Sequence, residues 1–205
     1  MAVITISRQF GSGGKRLGKR IADKLGYYYA DEDMIERVAI EANVSPDWIK
    51  SIEKEMGGKL QKYISQLNPF GKGLMERPLD DKEGYIDGFK YVELLNMIIP
   101  RIAEEGNAVI VGRGGQYVLE DFDDAYHLLF IADKKDRIKF VETNYNLSST
   151  EAAKVEKRMA KRRTNLYSFF GRKDYDDLTL YHMVLNMSKL SMEEAEALIF
   201  EFIKQ

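Results

Sequence analysis

Apolar residues along this chain fall into two patterns. Short continuous runs occupy residues 2–6, 27–30, 108–111, 126–132 and 179–185. Continuous rather than alternating runs suit strands buried on both faces of a parallel sheet. Between them the apolar positions recur at helical spacing. Leu17, Ile21 and Leu25 come every four residues, with Gly26 as the stop. Val92, Leu95, Ile99 and Ile102 predict a helix over 91–103, which Pro100 should kink or break. Residues 133–143 read as helix, and Ser148-Ser149-Thr150-Glu151 is a capping box opening another. Ser191 caps a last helix carrying Ala195, Leu198, Ile199, Phe202 and Ile203. Asp31-Glu32-Asp33 opens a helix through Met34, Ile35, Val38 and Ala39, and Ser45-Pro46 starts one that ends near Met56. Strands near 2–7, 27–30, 108–112, 126–132 and 180–186 therefore alternate with helices. The prediction is an α/β fold, a five-stranded parallel sheet covered on both faces, with a ligand crevice at the strand C-termini. Residues 57–88 are irregular and read as a surface segment or lid.

Composition narrows the chemistry. The chain has 205 residues, a net charge of −2, two histidines and no cysteine. Disulfides, zinc–thiolate sites and thiol catalysis are excluded, and a histidine-rich metal site is disfavoured. Any anion site must come from local clustering of cations. No signal-peptide pattern and no long apolar run is present, so a soluble cytoplasmic protein without membrane contact is expected.

Local clustering begins at the first turn. Gly11-Ser12-Gly13-Gly14 joins a strand to a helix, and Lys15 and Arg16 follow at the helix N-terminus. Glycines let a backbone approach an anion, and helix-start N–H groups point at it. The two cations sit unfavourably for the helix dipole, a defect that a bound polyanion repairs. A βα turn with no ligand is the alternative, because the pattern G-x-x-x-x-G-K-[ST] is not met: Gln9 stands five residues before Gly14, and Arg16 follows Lys15. Asp31, at a strand end, either caps a helix or faces the crevice. Arg113 follows a buried strand between glycines and can hold a phosphate with a two-pronged hydrogen bond; Arg37 lies six residues beyond Asp31. Residues 150–173 hold eight Lys or Arg against Glu151 and Glu156, with Lys154, Arg158 and Arg162 on one helix face. A solvated face and a nucleic-acid stripe compete with phosphate binding there; the limited aromatic interleaving (Tyr167, Phe169, Phe170) weighs against the nucleic acid. His127 has no neighbouring ligand partner and reads as structural.

With these pieces placed, the chain resembles the cytidylate-kinase-like family, a branch of the P-loop nucleoside monophosphate kinases. The similarity is strongest at residues 4–26, 29–37, 109–115 and 180–199. Asp31 and Arg37 match the family's aspartate and arginine after the second strand. Gly112 and Arg113 match a Gly-Arg-Asp whose aspartate is here Gly114. Arg158, Arg162 and Arg163 resemble an arginine-rich lid, and Asn186 and Ser188 stand in the turn after the last strand. In the ungapped register Arg8 takes the first loop glycine and Gly14 the lysine position, with Lys15 and Arg16 following where a hydroxyl residue would stand. The resemblance implies a P-loop NTPase-like three-layer fold, one kinase-like domain over 1–205, with a helical acceptor-binding insert at 40–105 and a basic helical lid at 148–175. It implies ATP as substrate with Mg²⁺, and a small phosphate acceptor such as a pyrimidine nucleoside monophosphate. Gly11, Ser12, Gly13, Gly14, Lys15, Arg16 and Arg163 would bind the nucleotide phosphates. Lys15, Asp31, Arg158 and Arg162 would act in catalysis, and Arg37 and Arg113 would hold the acceptor. Ser12, Asp31 or water would ligate Mg²⁺. The altered loop keeps open a kinase fold that binds a nucleotide or phosphometabolite as a regulator without transferring phosphate. The helix at 45–56 and the irregular segment offer a contact for a homodimer.

Overall fold

The computed structural model describes residues 2–31, 88–173 and 175–203. The expected helices after Asp31 and at 45–56, the irregular segment up to residue 87, Arg37 and most of the 40–105 insert lie outside the described residues.

Five strands form one sheet: β1 (Val3–Arg8), β2 (Tyr28–Ala30), β3 (Ala108–Val111), β4 (Ala125–Ile131) and β5 (Met183–Asn186). Their order is β2-β3-β1-β4-β5, and every neighbouring pair is parallel. The described α-helices are α1 (Gly14–Leu25), α2 (Gly88–Glu105), α3 (Gly115–Val118), α4 (Lys134–Tyr145), α5 (Ser149–Phe169) and α6 (Met192–Ile203).

Period-two alternation splits the strand residues between two cores. Ile4, Ile6, Val109, Val111, Leu128 and Phe130 pack on one face with Leu17 and Ile21 of α1 and Ala195 and Ile199 of α6. Val3, Ala108 and Ile110 pack on the other with Tyr91, Leu95, Ile99 and Ile102 of α2. Each fully buried Ile, Leu or Val contributes about 1.5–3 kcal/mol, so two covered faces give this short sheet its stability. That is the three-layer arrangement the apolar runs imply.

Two local expectations are corrected. Helix α2 continues through Pro100 to Glu105 instead of breaking there. Buried Leu95, Ile98 and Ile99 before it, and Ile102 and Ala103 after it, anchor both sides to one core. The last strand does not begin at Thr179. Residues Leu178–Leu180 form a 3₁₀ turn, and the strand starts at Met183. Asp177 Oδ1 accepts from Thr179 N at 2.9 Å and from Thr179 Oγ1 at 2.7 Å, giving that backbone a local alternative to the ladder.

His127 is buried in β4. Its Nδ1 lies 2.7 Å from Thr5 Oγ1 and its Nε2 3.1 Å from the Leu119 carbonyl. Burial, then the neighbouring His182, lowers its pKa to about 4. It is a neutral structural histidine, as its isolation in the chain suggests.

Candidate functional site

The glycine turn follows β1, and Asp31 and Arg113 follow β2 and β3 at the same end of the parallel sheet. Gln9 anchors the turn to β4: its N donates to the Phe130 carbonyl at 3.0 Å, and its Oε1 accepts from Ala132 N at 3.2 Å. Gly11 and Gly13 adopt φ of 87° and 82°. A Cβ on Gly11 would lie 2.6 Å from the Arg137 carbonyl oxygen, so helix α4 packs directly on the turn. Helix α1 starts at Gly14 with no side chain capping it, and its first main-chain bond runs from Leu17 N to Gly13 O at 3.0 Å. The N–H groups ahead of that bond point out of the helix end. Beside them, the Ser12 hydroxyl is buried and has no hydrogen-bond partner among the described residues.

Charged side chains converge behind this turn. Lys15 Nζ lies 2.8 Å from Asp31 Oδ2; the lysine is mostly exposed and the aspartate buried. Burial pushes the Asp31 carboxyl up, but Arg113, Lys15 and Arg8 outweigh it and hold the pKa below the usual carboxylate range. Arg113 stands at the C-terminal end of β3 with φ 60°, between Gly112 at 79° and Gly114 at 73°. The left-handed conformation of Arg113 carries a backbone cost that the surrounding packing must offset, and the side chain lies within electrostatic reach of Asp31. A Cβ on Gly114 would lie 2.5 Å from the Phe170 ring at the end of α5, which explains glycine where the resembled kinases carry aspartate. Tyr145, at the end of α4, is within electrostatic reach of the cluster: burial raises its hydroxyl pKa, against the pull of Lys15 and Arg8.

The basic helix does not act as one face. Arg163 is turned inward: its Nη2 donates to Asp176 Oδ1 at 2.6 Å and to Ser7 Oγ at 3.0 Å, and its guanidinium lies 4.9 Å from the Tyr167 ring centroid. Tyr167 OH in turn lies 3.0 Å from Ser7 Oγ, so this end of α5 is fastened to β1. Glu156 is buried and pairs with Arg137 of α4 at 2.9 Å. Arg158 is half-buried, with Nε carrying no hydrogen-bond partner among the described residues, and Arg162 is half-buried. Lys154 lines an open groove with Lys134 and Lys157. Arg16 is exposed and within electrostatic reach of Glu193 on α6.

A cavity of about 120 Å³ adjoins the turn, lined by Gly11, Ser12, Phe140, Met187, Leu190 and Met192. Its apolar wall comes from Phe140 of α4, Met187 and Leu190 of the turn after β5, and Met192 of α6. That turn is fixed by Ser188: its N donates to Asn186 Oδ1 at 3.0 Å, and its Oγ accepts from Asp133 N at 2.7 Å.

The structure thus gathers the turn, Lys15, Asp31 and Arg113. Sequence spacing missed the depth of Arg8 in the cluster, the neighbourhood of Tyr145, and the cavity beside the turn. Only the position of Arg8 between an apolar strand and a glycine turn offered a signal; Tyr145 and the methionines carry none. Among the described residues no group of three His, Cys, Asp or Glu could hold a metal, and no helix is long and apolar enough to cross a membrane.

The sequence model of the cytidylate kinase-like family matches residues 3–189. The chain is 27% identical over 203 residues to the cytidylate kinase of Pyrococcus horikoshii, covering 96% of this chain and 85% of that one. Its fold is similar to an uncharacterized protein from Eubacterium ventriosum, with TM-score 0.65, 20% identity, and coverage of 100% and 99% of the two chains. It is also similar to shikimate kinase from Bacteroides thetaiotaomicron, with TM-score 0.55, 12% identity, and coverage of 100% and 99%.

Proposed function

The chain belongs to the cytidylate kinase-like family, and from that premise we propose that it is a nucleotide-dependent phosphotransferase moving the γ-phosphate of ATP to a small acceptor, a pyrimidine nucleoside monophosphate being the first candidate. The observation that carries this reading is the uncapped start of α1 beside the buried, unpartnered Ser12 hydroxyl. A helix start with no side-chain cap, beside a buried hydroxyl with no hydrogen-bond partner among the described residues, suits a polyphosphate.

The nucleotide phosphates would lie on residues 11–15, with Arg16 at the outer edge. The base would enter the cavity beside the turn, against Met187, Leu190 and Met192. Arg113 and Arg37 would grip the acceptor phosphate. Lys15, Arg158 and Arg162 would neutralise charge on the transferring group, and closure of the 148–175 segment would exclude water. Arg163 would position the root of that lid through Ser7 and Asp176. Asp31 would orient the acceptor, since it already sits among three cations. Mg²⁺ needs few protein ligands when phosphates and waters complete its octahedron, and Ser12 Oγ fits as the protein's oxygen. There it would supply neutralisation of the phosphate charge.

The test is a coupled assay with ATP and Mg²⁺ over the nucleoside monophosphates. Turnover of at least one pyrimidine nucleotide is expected. Normal ATP binding with no turnover of any acceptor would favour the second reading, a nucleotide-binding regulator. That reading draws on Gly14 standing at the resembled kinases' lysine position, with Lys15 and Arg16 after it where a hydroxyl residue would follow.

A further inference from the structure

We propose that the cavity beside the glycine turn reads guanine through Asp136, so that GTP is a further phosphoryl donor at this site and the one it binds more tightly. This deepens the nucleotide reading above and rests on it. ATP remains a donor, held by the cavity walls and the phosphate contacts alone.

The cavity suits a flat, mostly apolar ring with a polar edge. Its volume of about 120 Å³ is on the scale of a single ring system, not of a whole nucleotide. Phe140, Met187, Leu190 and Met192 supply apolar walls. Thioethers and an aromatic ring adapt readily to the face of a base. A Cβ on Gly13 would overlap Met192 Cε, so glycine at 13 is what lets that methionine lie on the turn. Ser12 lines the same cavity, buried and with its hydroxyl unpartnered among the described residues.

The other polar side chain lining the cavity is Asp136. Its carboxylate makes no ion pair or hydrogen bond among the described residues. Its place is fixed by the main chain. Asp136 N donates to the Asp133 carbonyl at 3.0 Å, and Asp133 N donates to Ser188 Oγ at 2.7 Å. Met187 N donates to the Ile131 carbonyl at 2.8 Å, and Leu190 N to the Asn186 carbonyl at 3.1 Å. The first turn of α4 and the turn after β5 are thereby tied together, which sets the carboxylate against two of the walls before a ligand arrives. An acid in a first helical turn also complements the helix dipole, and that role leaves both oxygens able to accept.

A carboxylate is acceptor-only. Guanine offers it two adjacent donors, N1–H and N2–H, which match both oxygens. Adenine presents its N6 amino group beside ring acceptors, and cytosine its N4 amino group beside N3, so each pairs with one oxygen and turns a lone pair towards the other. Uracil has a single N–H between two carbonyls. The transfer step is the same for either purine: an acceptor phosphate oxygen bonds to the γ-phosphorus as the bond from that phosphorus to its bridging oxygen breaks. GDP then leaves with the electron pair.

The experiment titrates the full chain with ADP, GDP, IDP and XDP in the presence of Mg²⁺, in wild type, Asp136→Asn and Asp136→Ala. A coupled assay compares GTP with ATP as donor to CMP. Wild type should bind GDP about tenfold or more tighter than ADP, with IDP, which lacks the N2 amino group, in between. Asp136→Asn should lose that preference and favour XDP, whose C2 carbonyl accepts from the new amide while its N1–H donates to the amide oxygen. Asp136→Ala should lose the preference for GDP without gaining XDP. Asp136 is exposed, so both variants should melt near wild type. Equal affinity for GDP and ADP in wild type, or a GDP preference that survives Asp136→Asn, overturns the guanine reading and leaves the nucleotide reading standing. Loss of every diphosphate together with melting temperature in both variants overturns it in favour of a structural part for Asp136. Selective GDP binding with no transfer from GTP overturns the donor role. A wild type that binds none of the four overturns the nucleotide reading itself, and this inference with it.

Discussion

Lys15 Nζ of α1 sits 2.8 Å from Asp31 Oδ2 at the end of edge strand β2, joining the start of α1 to a strand two places away in the sheet. The carboxylate serves several cations at once, so its charge is the balance point of the site. Asp31→Asn keeps the volume and removes the charge. Turnover should fall roughly 10²-fold while nucleotide affinity holds or tightens, because the remaining cations attract phosphate more strongly. The measurement is kcat and KM beside a nucleotide titration. With its pKa held below the usual range, Asp31 keeps the pair as pH falls through ordinary carboxylate values and loses it only below them.

Gly11 and Gly26 both have positive φ, at 87° and 66°, but different surroundings. Alanine at 26 meets nothing within 4 Å, and alanine at 11 meets the Arg137 backbone. Gly26→Ala should cost about 1–2 kcal/mol from backbone strain alone. Gly11→Ala should cost more and loosen α4 from the turn, lowering nucleotide affinity as well. Urea denaturation of both variants, equal losses counting against this account, separates strain from collision.

The Arg137–Glu156 pair joins α4 to α5 with both side chains largely buried. Glu156→Ala leaves a buried guanidinium without its carboxylate and should destabilise by about 3–5 kcal/mol. Removing both charges in Arg137→Met with Glu156→Met should recover much of that loss. Chemical denaturation of the single and double variants checks it.

His127 makes the fold sensitive to mild acid. Its folded pKa, about 4, lies below the unfolded value of 6.5. Above 6.5 both states are neutral there and stability does not depend on it. As pH falls from 6.5 towards 4, the unfolded chain takes a proton that the folded chain refuses, and about 3 kcal/mol is lost. His127→Gln should flatten the pH dependence of urea midpoints in that window; an unchanged slope would place the acid sensitivity elsewhere.

The sheet was legible in the chain because burial on both faces demands unbroken apolar runs, and β1, β3 and β4 have them. Helix ends were legible where a local device marks them. Gly26 takes a left-handed C-cap, and Ser148 with Glu151 forms the reciprocal capping bonds. The last strand was read too long because Asp177 satisfies Thr179 locally, an alternative that apolar composition does not reveal.

Sequence alone determined the layered α/β core and the glycine turn at the first strand's end, and it offered Lys15, Asp31 and Arg113 as candidates for a site. These follow from local rules: periodicity, caps, and residue types at strand ends. Tertiary structure alone decided which cations of α5 face inward, why Gly14 and Gly114 are glycine, and that Arg8 lies among the charges. Each of those depends on side chains distant in sequence meeting in one volume: Arg8 against Gly112, Phe170 against Gly114, Arg163 against Ser7. Steric exclusion and charge balance between such partners leave no periodic trace along the chain.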